Sequence, residues 1–197
     1  MNKTQVVTRA SAPALIIKKI KDIISVKGTC IVAIDGNSGA GKSTFASHIA
    51  AAVNGNLFHT DDFFLPPLLR TAERLNTPGG NVDSERFNKE VIDGILSGEK
   101  FTYKAFSCQT GKYRSVKVEA SPISIIEGVY SHHPLWSEKI DLKIFMSVDH
   151  DTQIKRILSR NGADKLSVFT EKWIPLENKY FDFYDIPVCS HIKVGVK

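Results

Sequence analysis

Cysteine is scarce in this 197-residue chain: Cys30, Cys108 and Cys189 are odd in number, far apart, and form no Cys-x-x-Cys pair. That scarcity excludes a disulfide scaffold and removes the usual sequence sign of a zinc or dithiol site, so a reducing, cytoplasmic setting is the expectation. Cys30 sits in an apolar run and reads as a core thiol rather than a nucleophile. Long apolar runs are also missing. The longest stretch free of Asp, Glu, Lys and Arg, from Ser43 to Thr60, is broken by Ser, Asn and His and does not make a membrane span. Lys3 is not followed by an apolar signal core. The chain has no internal repeat and no low-complexity linker. Charge is only mildly one-sided: 26 basic against 21 acidic side chains leave +5, which suits an anionic ligand and is modest for a nucleic-acid binder. The basic strip at 112–117 comes with no nucleic-acid recognition motif, so neither nucleic acid nor a membrane is the expected partner.

What remains is a globular composition, 42% hydrophobic and 24% charged, in a length that suits one core. Apolar residues at helical spacing, Leu15, Ile16, Ile20, Ile23 and Ile24, predict an amphipathic helix over 12–26 that stops at Gly28. Cys30-Ile31-Val32-Ala33-Ile34 is β-rich and apolar throughout, as expected of a strand covered on both faces. A glycine-rich loop, an Ala-rich helix over 43–53 and a short strand over 56–60 complete a β-α-β unit. Residues 66–81 read as a long irregular segment, 84–96 as a helix, and 101–119 as a hairpin turning at Thr110-Gly111. Buried strands follow at 123–126 and 142–148, then a helix ending at Asn161-Gly162, a helical stretch over 168–182 and a last strand over 191–196. This alternation predicts an α/β fold, a doubly wound parallel sheet flanked by helices.

Gly36-Asn37-Ser38-Gly39-Ala40-Gly41-Lys42-Ser43 satisfies G-x-x-x-x-G-K-[ST] between a strand and a helix. Glycines at 36, 39 and 41 let backbone N–H groups turn inward, and the following helix offers its positive end to phosphates. Lys42 adds charge near the β- and γ-phosphates, Ser43 offers a hydroxyl to Mg²⁺, and Thr44 lies where it reaches the α-phosphate. The motif fixes triphosphate binding and leaves the reaction open. A GTPase would also need Asn-Lys-x-Asp, and Asn178-Lys179-Tyr180-Phe181 lacks the Asp.

Carboxylates follow two further strands. Asp61 and Asp62 come directly after the second strand, and Glu127 ends the Ile123-Ser124-Ile125-Ile126 run. In open α/β sheets such strand ends face the ligand crevice. A kinase acting on a hydroxyl needs a carboxylate to take the proton and charge to neutralise the phosphoryl group. The plainer alternatives stay open: an Asp pair that caps the next segment, and a strand-end Glu that is merely solvated.

The motifs at 36–44, Thr-Asp-Asp-Phe-Phe at 60–64, Asn-Val-Asp at 81–83 and Ile-Ile-Glu-Gly at 125–128 together resemble the uridine kinase and phosphoribulokinase family. Thr-Asp-Asp-Phe-Phe is also similar to the Gln-Asp-Asp-Phe-Phe of nicotinamide riboside kinases. The resemblance implies a P-loop NTPase fold of the NMP-kinase type in a single domain spanning 1–197. In that layout, 1–27 form an N-terminal helix, 62–120 carry acceptor-binding insertions, and about 156–175 form a lid. It implies transfer of a phosphoryl group from ATP, with Mg²⁺, to a small-molecule hydroxyl, foremost the ribose 5′-hydroxyl of a nucleoside. Nicotinamide riboside or another small metabolite is the alternative acceptor, and a non-catalytic ATP-binding regulator the alternative of another class. The catalytic set it implies is Asp61 as base, with Lys42 and Arg160. ATP would meet residues 36–44, Arg156 and Arg160; the acceptor would meet Asp61, Phe64, Asp83, Phe106, Arg114 and Glu127; Ser43 and Glu127 would hold the metal. Phe64 and Phe106 could equally be core, the two arginines a solvated helix face, and Arg114 a surface ion pair. Trp173, Glu177 and Tyr180 share one helix face that either closes the acceptor site or packs in the core. The chain departs from the family at Ser107, which stands where Asp is usual, in lacking the base-reading His downstream, and in having Arg156-Ile157 for an Arg-Arg pair.

Overall fold

The computed structural model describes residues 4–195. Six strands form one all-parallel sheet. They are β1 (Gln5–Thr8), β2 (Cys30–Gly36), β3 (Asn56–His59), β6 (Ile123–Glu127), β7 (Leu142–Met146) and β8 (Ile192–Gly195), in the order β1-β8-β7-β2-β6-β3. Strands β4 (Phe101–Ser107) and β5 (Lys112–Val118) make a separate antiparallel hairpin. β2 lies between β6 and β7, in register Val32 with Ile125 and Leu142. From β2 the chain winds first toward β3 and β6 and later toward β7 and β8, so the loop after β2 opens at the point where the winding reverses.

Every residue of β2 is buried, as its apolar run predicts. Cys30, Val32 and Ile34 pack on α1 (Ala12–Lys27) and α2 (Lys42–Val53) through Ile16, Ile20 and Ile49. Ile31 and Ala33 face the opposite core, built of aromatics including Phe58, Phe63, Phe87, Trp136, Tyr180 and Phe181. Burial pushes the Cys30 thiol up to about 12, consistent with a core residue. The helix over 84–97 contains a single π-turn, and Gly98 ends it in the left-handed region.

Several elements were not apparent from patterning, among them the short helices Ala72–Asn76, within the segment expected to be irregular, Pro134–Ser137 and Ile186–Cys189. β1 is a four-residue edge strand that pairs only with β8, too short and too exposed to show an alternating pattern. The helical stretch expected at 168 begins at Ala163 and runs to Phe183 through a π-turn over Phe169–Trp173. β8 ends at Gly195, and the expected continuation to Val196 lies outside the described residues. No helix among the described residues is long and apolar enough to cross a membrane.

Candidate functional site

The loop between β2 and α2 needs glycine at its first position. Gly36 has φ 140°, and a Cβ there would stand 2.0 Å from the Met146 carbonyl oxygen of β7. That close approach seats the loop on the sheet's carboxyl edge. Gly41 enters α2 with φ 83° and its carbonyl accepts the Phe45 N–H. Lys42 is buried, and its Nζ donates to the carbonyls of Gly36 at 2.8 Å and Asn37 at 3.1 Å. An ammonium has three protons, so one is left for a ligand. Arg156 holds the loop from outside by donating to the Gly39 carbonyl at 3.0 Å, and Arg9 donates to the Ala40 carbonyl.

A cavity of about 560 Å³ opens over this loop. It is lined by Ser38, Gly39, Gly41, Lys42, Ser43 and Thr44 on one side, and by Asp61, Phe64, Asn81, Glu127, Tyr130 and Glu177 on another. Arg160 also lines it, with its guanidinium 6.0 Å from the Phe169 ring.

The two adjacent aspartates have different surroundings. Asp62 accepts from the Tyr103 hydroxyl at 3.2 Å and pairs with Arg114 at 3.6 Å, tying the end of β3 to the hairpin. Asp61 instead opens into the cavity while protein surrounds it at longer range. Crowding by protein, then the like charge of Glu127, push its carboxyl up to about 6. Water in the open cavity screens that effect, and a ligand that displaces the water restores it. Glu127 is buried at the end of β6 and pairs through Oε1 with His59 Nδ1 at 2.6 Å. That hydrogen bond raises the His59 pKa. Gly128, φ 128°, lets the chain turn there, since a Cβ would lie 2.0 Å from Thr60 Oγ1.

Two buried acids complete the site: Asp35, which sequence reasoning did not single out, and Glu177, from the helix face it did. Asp35, the penultimate residue of β2, is fully buried and accepts from Gly36 N at 2.7 Å, His132 N at 3.0 Å and the Tyr180 hydroxyl at 3.0 Å. Burial nevertheless pushes it up to about 6. Glu177 accepts from Ser38 N at 3.0 Å and also from Ser38 Oγ, so a carboxylate rests on the phosphate loop. Burial raises its pKa as well. A charged residue within an apolar strand, directly before a glycine-rich loop, was the available signal for Asp35. Glu177 was legible as one member of a helix face shared with Trp173 and Tyr180, but not its contact with the loop, which lies 139 residues away in sequence.

Of the residues singled out from sequence, Ser38, Gly39, Gly41, Lys42, Ser43, Thr44, Asp61, Phe64, Glu127 and Arg160 line this cavity. Gly36, Asn37, Ala40 and Arg156 support the loop from behind. Asp83, Phe106 and Arg114 are not in the lining. Asp83 caps the helix beginning at Ser84 by accepting from Arg86 N at 3.2 Å, and pairs with Arg86 Nε at 3.3 Å. Phe106 is buried against Tyr113, with ring centroids 5.1 Å apart. Trp173 and Glu177 line the cavity, whereas Tyr180 is wholly buried beneath it on Asp35.

The site's donors suit magnesium, a hard cation that takes oxygen ligands and shares a nucleotide's phosphates. Ser43 offers a hydroxyl and Glu127 a carboxylate within one cavity. No cluster of three His, Cys, Asp or Glu that could cage a metal occurs among the described residues, and magnesium on a nucleotide does not require one.

No protein-family model matches the sequence, and no curated protein matches it either. Solved structures do match. A candidate fructose transport system kinase from a Silicibacter species superposes with TM-score 0.73 at 18% identity, covering 92% of this chain and 98% of that one. A candidate uridine kinase from Bacillus stearothermophilus gives TM-score 0.69 at 18% identity, over 92% and 96% of the two chains. The protein YGR205w gives 0.66 at 14% identity, over 96% and 94%. At these identities the likeness is one of architecture, and the chain has the α/β fold of P-loop kinases.

Proposed function

We propose that this protein is an ATP-dependent phosphotransferase that moves the γ-phosphoryl group of Mg·ATP to a hydroxyl of a small molecule. One observation carries the reading: a carboxylate, Asp61, opens into the same cavity as the phosphate loop, Ser43 and Glu127. Asp61 takes the acceptor's proton as its oxygen attacks the γ-phosphorus. The bond from that phosphorus to the β-phosphate oxygen breaks, and ADP leaves. Lys42 and the loop N–H groups hold the charge that gathers on the leaving phosphate. Arg160 adds a guanidinium at the cavity wall and serves the transferring group from the lid side. Ser43 and Glu127 would hold Mg²⁺, which supplies charge neutralisation between the β- and γ-phosphates when bound. His59 fixes the Glu127 carboxylate through Oε1 and leaves Oε2 for that role.

Within hydroxyl acceptors, the resemblance favours a ribose 5′-hydroxyl, as in uridine, cytidine or nicotinamide riboside. Asp83 and Phe106, on which it would rely, lie outside the cavity lining, so the reading stands at hydroxyl transfer in general. The test is Mg·ATP consumption over a panel of hydroxyl acceptors. Acceptor-dependent ADP release that Asp61→Asn abolishes is the expected result. ATP binding with no turnover on any acceptor would instead make the protein a nucleotide-binding regulator.

A further inference from the structure

The phosphate loop already holds an anion of its own. Glu177, 5% exposed, accepts from Ser38 N at 3.0 Å and from Ser38 Oγ, while the Ser38 carbonyl accepts from Gln153 Nε2 at 3.0 Å. Ser38 lines the cavity, so a donor of the loop is spent on a protein carboxylate rather than on a phosphate. Asp61 and Glu127 line the same cavity, but their carboxylates make no hydrogen bond to the loop among the described residues. Glu177 also leans on Lys42: burial raises its pKa, and the Lys42 charge opposes that rise. A triphosphate competes for both supports. It claims the Lys42 ammonium and brings its own negative charge into the cavity that Glu177 lines.

The helix that carries Glu177 is built to pass such a change on. Within Ile174–Phe183, the residues Ile174, Glu177, Tyr180 and Phe181 are buried. Tyr180, one turn beyond Glu177, donates to Asp35 at 3.0 Å, and Asp35 accepts from Gly36 N at 2.7 Å. One helix face thus holds the loop at Gly36, through Asp35, and at Ser38 directly. The turns before it, Ala163–Val168 and the π-turn Phe169–Trp173, bury no residue. Such π-turns are rare and concentrate at functional sites. Trp173 sits at this boundary, one turn before Glu177 on the same face, and lines the cavity. Its ring centre lies 5.4 Å from the Arg70 guanidinium and 4.8 Å from Lys172 Nζ. A carboxylate that lets go of Ser38 therefore moves the loosely packed end of the helix, with Trp173, before it disturbs the buried end.

We infer that Glu177 is a positioning residue that reports occupancy of the loop: a triphosphate displaces its carboxylate from Ser38, and the helix resets Trp173 on the cavity wall. The wall is thereby set for an acceptor only when a γ-phosphate is present. This rests on the nucleotide half of the proposed function and adds its regulation. The experiment titrates the full chain with Mg·ADP and with a non-hydrolysable β,γ-imido analogue of Mg·ATP, reading tryptophan emission and, by calorimetry, affinity. The chain has two tryptophans, and Trp136 is wholly buried, so Trp173→Phe identifies the reporter. The triphosphate is expected to change emission, ADP to change it far less, and Trp173→Phe to lose the response. Glu177→Gln keeps the shape and loses the charge. It is expected to bind the triphosphate analogue about 3- to 10-fold more tightly than the parent, to bind ADP within about twofold, and to lose the emission difference. Ser38→Ala removes one of the two donors and should move both readouts part of the way. Equal responses to the two nucleotides in the parent, or a response that survives Trp173→Phe, overturn the inference. So does weaker or unchanged triphosphate binding in Glu177→Gln, which makes Glu177 a plain brace of the loop. Turnover on the acceptor panel is a separate measurement. Its absence removes the phosphotransferase reading and leaves this inference standing, whereas no binding of either nucleotide removes both.

Discussion

On the phosphotransferase reading proposed above, the phosphate side of the cavity and its acceptor side are built by opposite strategies. The phosphate side is one contiguous loop, shaped by glycine conformations and ending in the start of α2. The acceptor side is assembled from side chains on separate segments: Asp61 after β3, Asn81 beside it through a bridge, Glu127 from β6, and Trp173 and Glu177 from a late helix. A backbone site tolerates side-chain drift but not a misplaced Cβ. A side-chain site can be retuned one residue at a time, which is how one fold serves many acceptors.

The largest effect should come from the acceptor side. Asp61→Asn is expected to lower kcat by about 10²- to 10⁴-fold while Mg·ATP still binds by calorimetry, since a general base contributes on that order. On the phosphate side the comparable break is steric. Gly36→Ala puts a Cβ 2.0 Å from the Met146 carbonyl. It should cost about 4 kcal/mol of unfolding free energy in urea, with loss of nucleotide binding, from strain and overpacking together. Phe106→Ala should cost about 3 kcal/mol of stability and leave KM for the acceptor unchanged, because Phe106 packs on Tyr113 rather than in the cavity. An altered acceptor KM without loss of stability would move Phe106 into the site. Arg156→Ala removes the hydrogen bond to the Gly39 carbonyl, worth about 1 kcal/mol, and should weaken Mg·ATP binding about fivefold.

The smallest effect is a slope. Crowding by the surrounding protein first, and the Glu127 charge second, raise Asp61 to about 6, so the folded chain holds that proton more tightly than the unfolded one. The associated stability is fully present below the unfolded value, near pH 4, and is lost as pH rises through about 6. Asp61→Asn should therefore show a shallower fall of melting temperature between pH 4 and 6, and a higher melting temperature than the parent at pH 8. Identical slopes would mean that cavity water holds Asp61 near its ordinary value.

The same division explains what could be read in advance. The phosphate loop is contiguous, so Gly36 to Thr44 were legible as a loop between a strand and a helix, as were the both-face burial of β2 and the hairpin turning near Gly111. Asp61 and Glu127 were legible because strand ends in a parallel sheet share an edge. Asp35 was not, nor was the partner of Glu177, since these contacts are supplied only by the tertiary fold. Tyr180 reaches Asp35 across 145 positions of sequence. Asp83 shows the converse: an acid at a suggestive position is taken up by the nearest helix end and by Arg86.

The contact between Glu177 and Ser38, and the pairing of β1 with β8, also bear on when the site comes into being. A chain emerging from the ribosome has its phosphate loop early, but β7, which abuts Gly36, and the helix carrying Glu177 come late, and Gln5 must wait for Ile192 before it joins the sheet. Contacts of such long sequence separation are closed last and slow the folding of the whole. The cavity over the loop thus forms only once β7 and the helix carrying Glu177 have been made, and a chain cut short of them would carry the motif without the pocket.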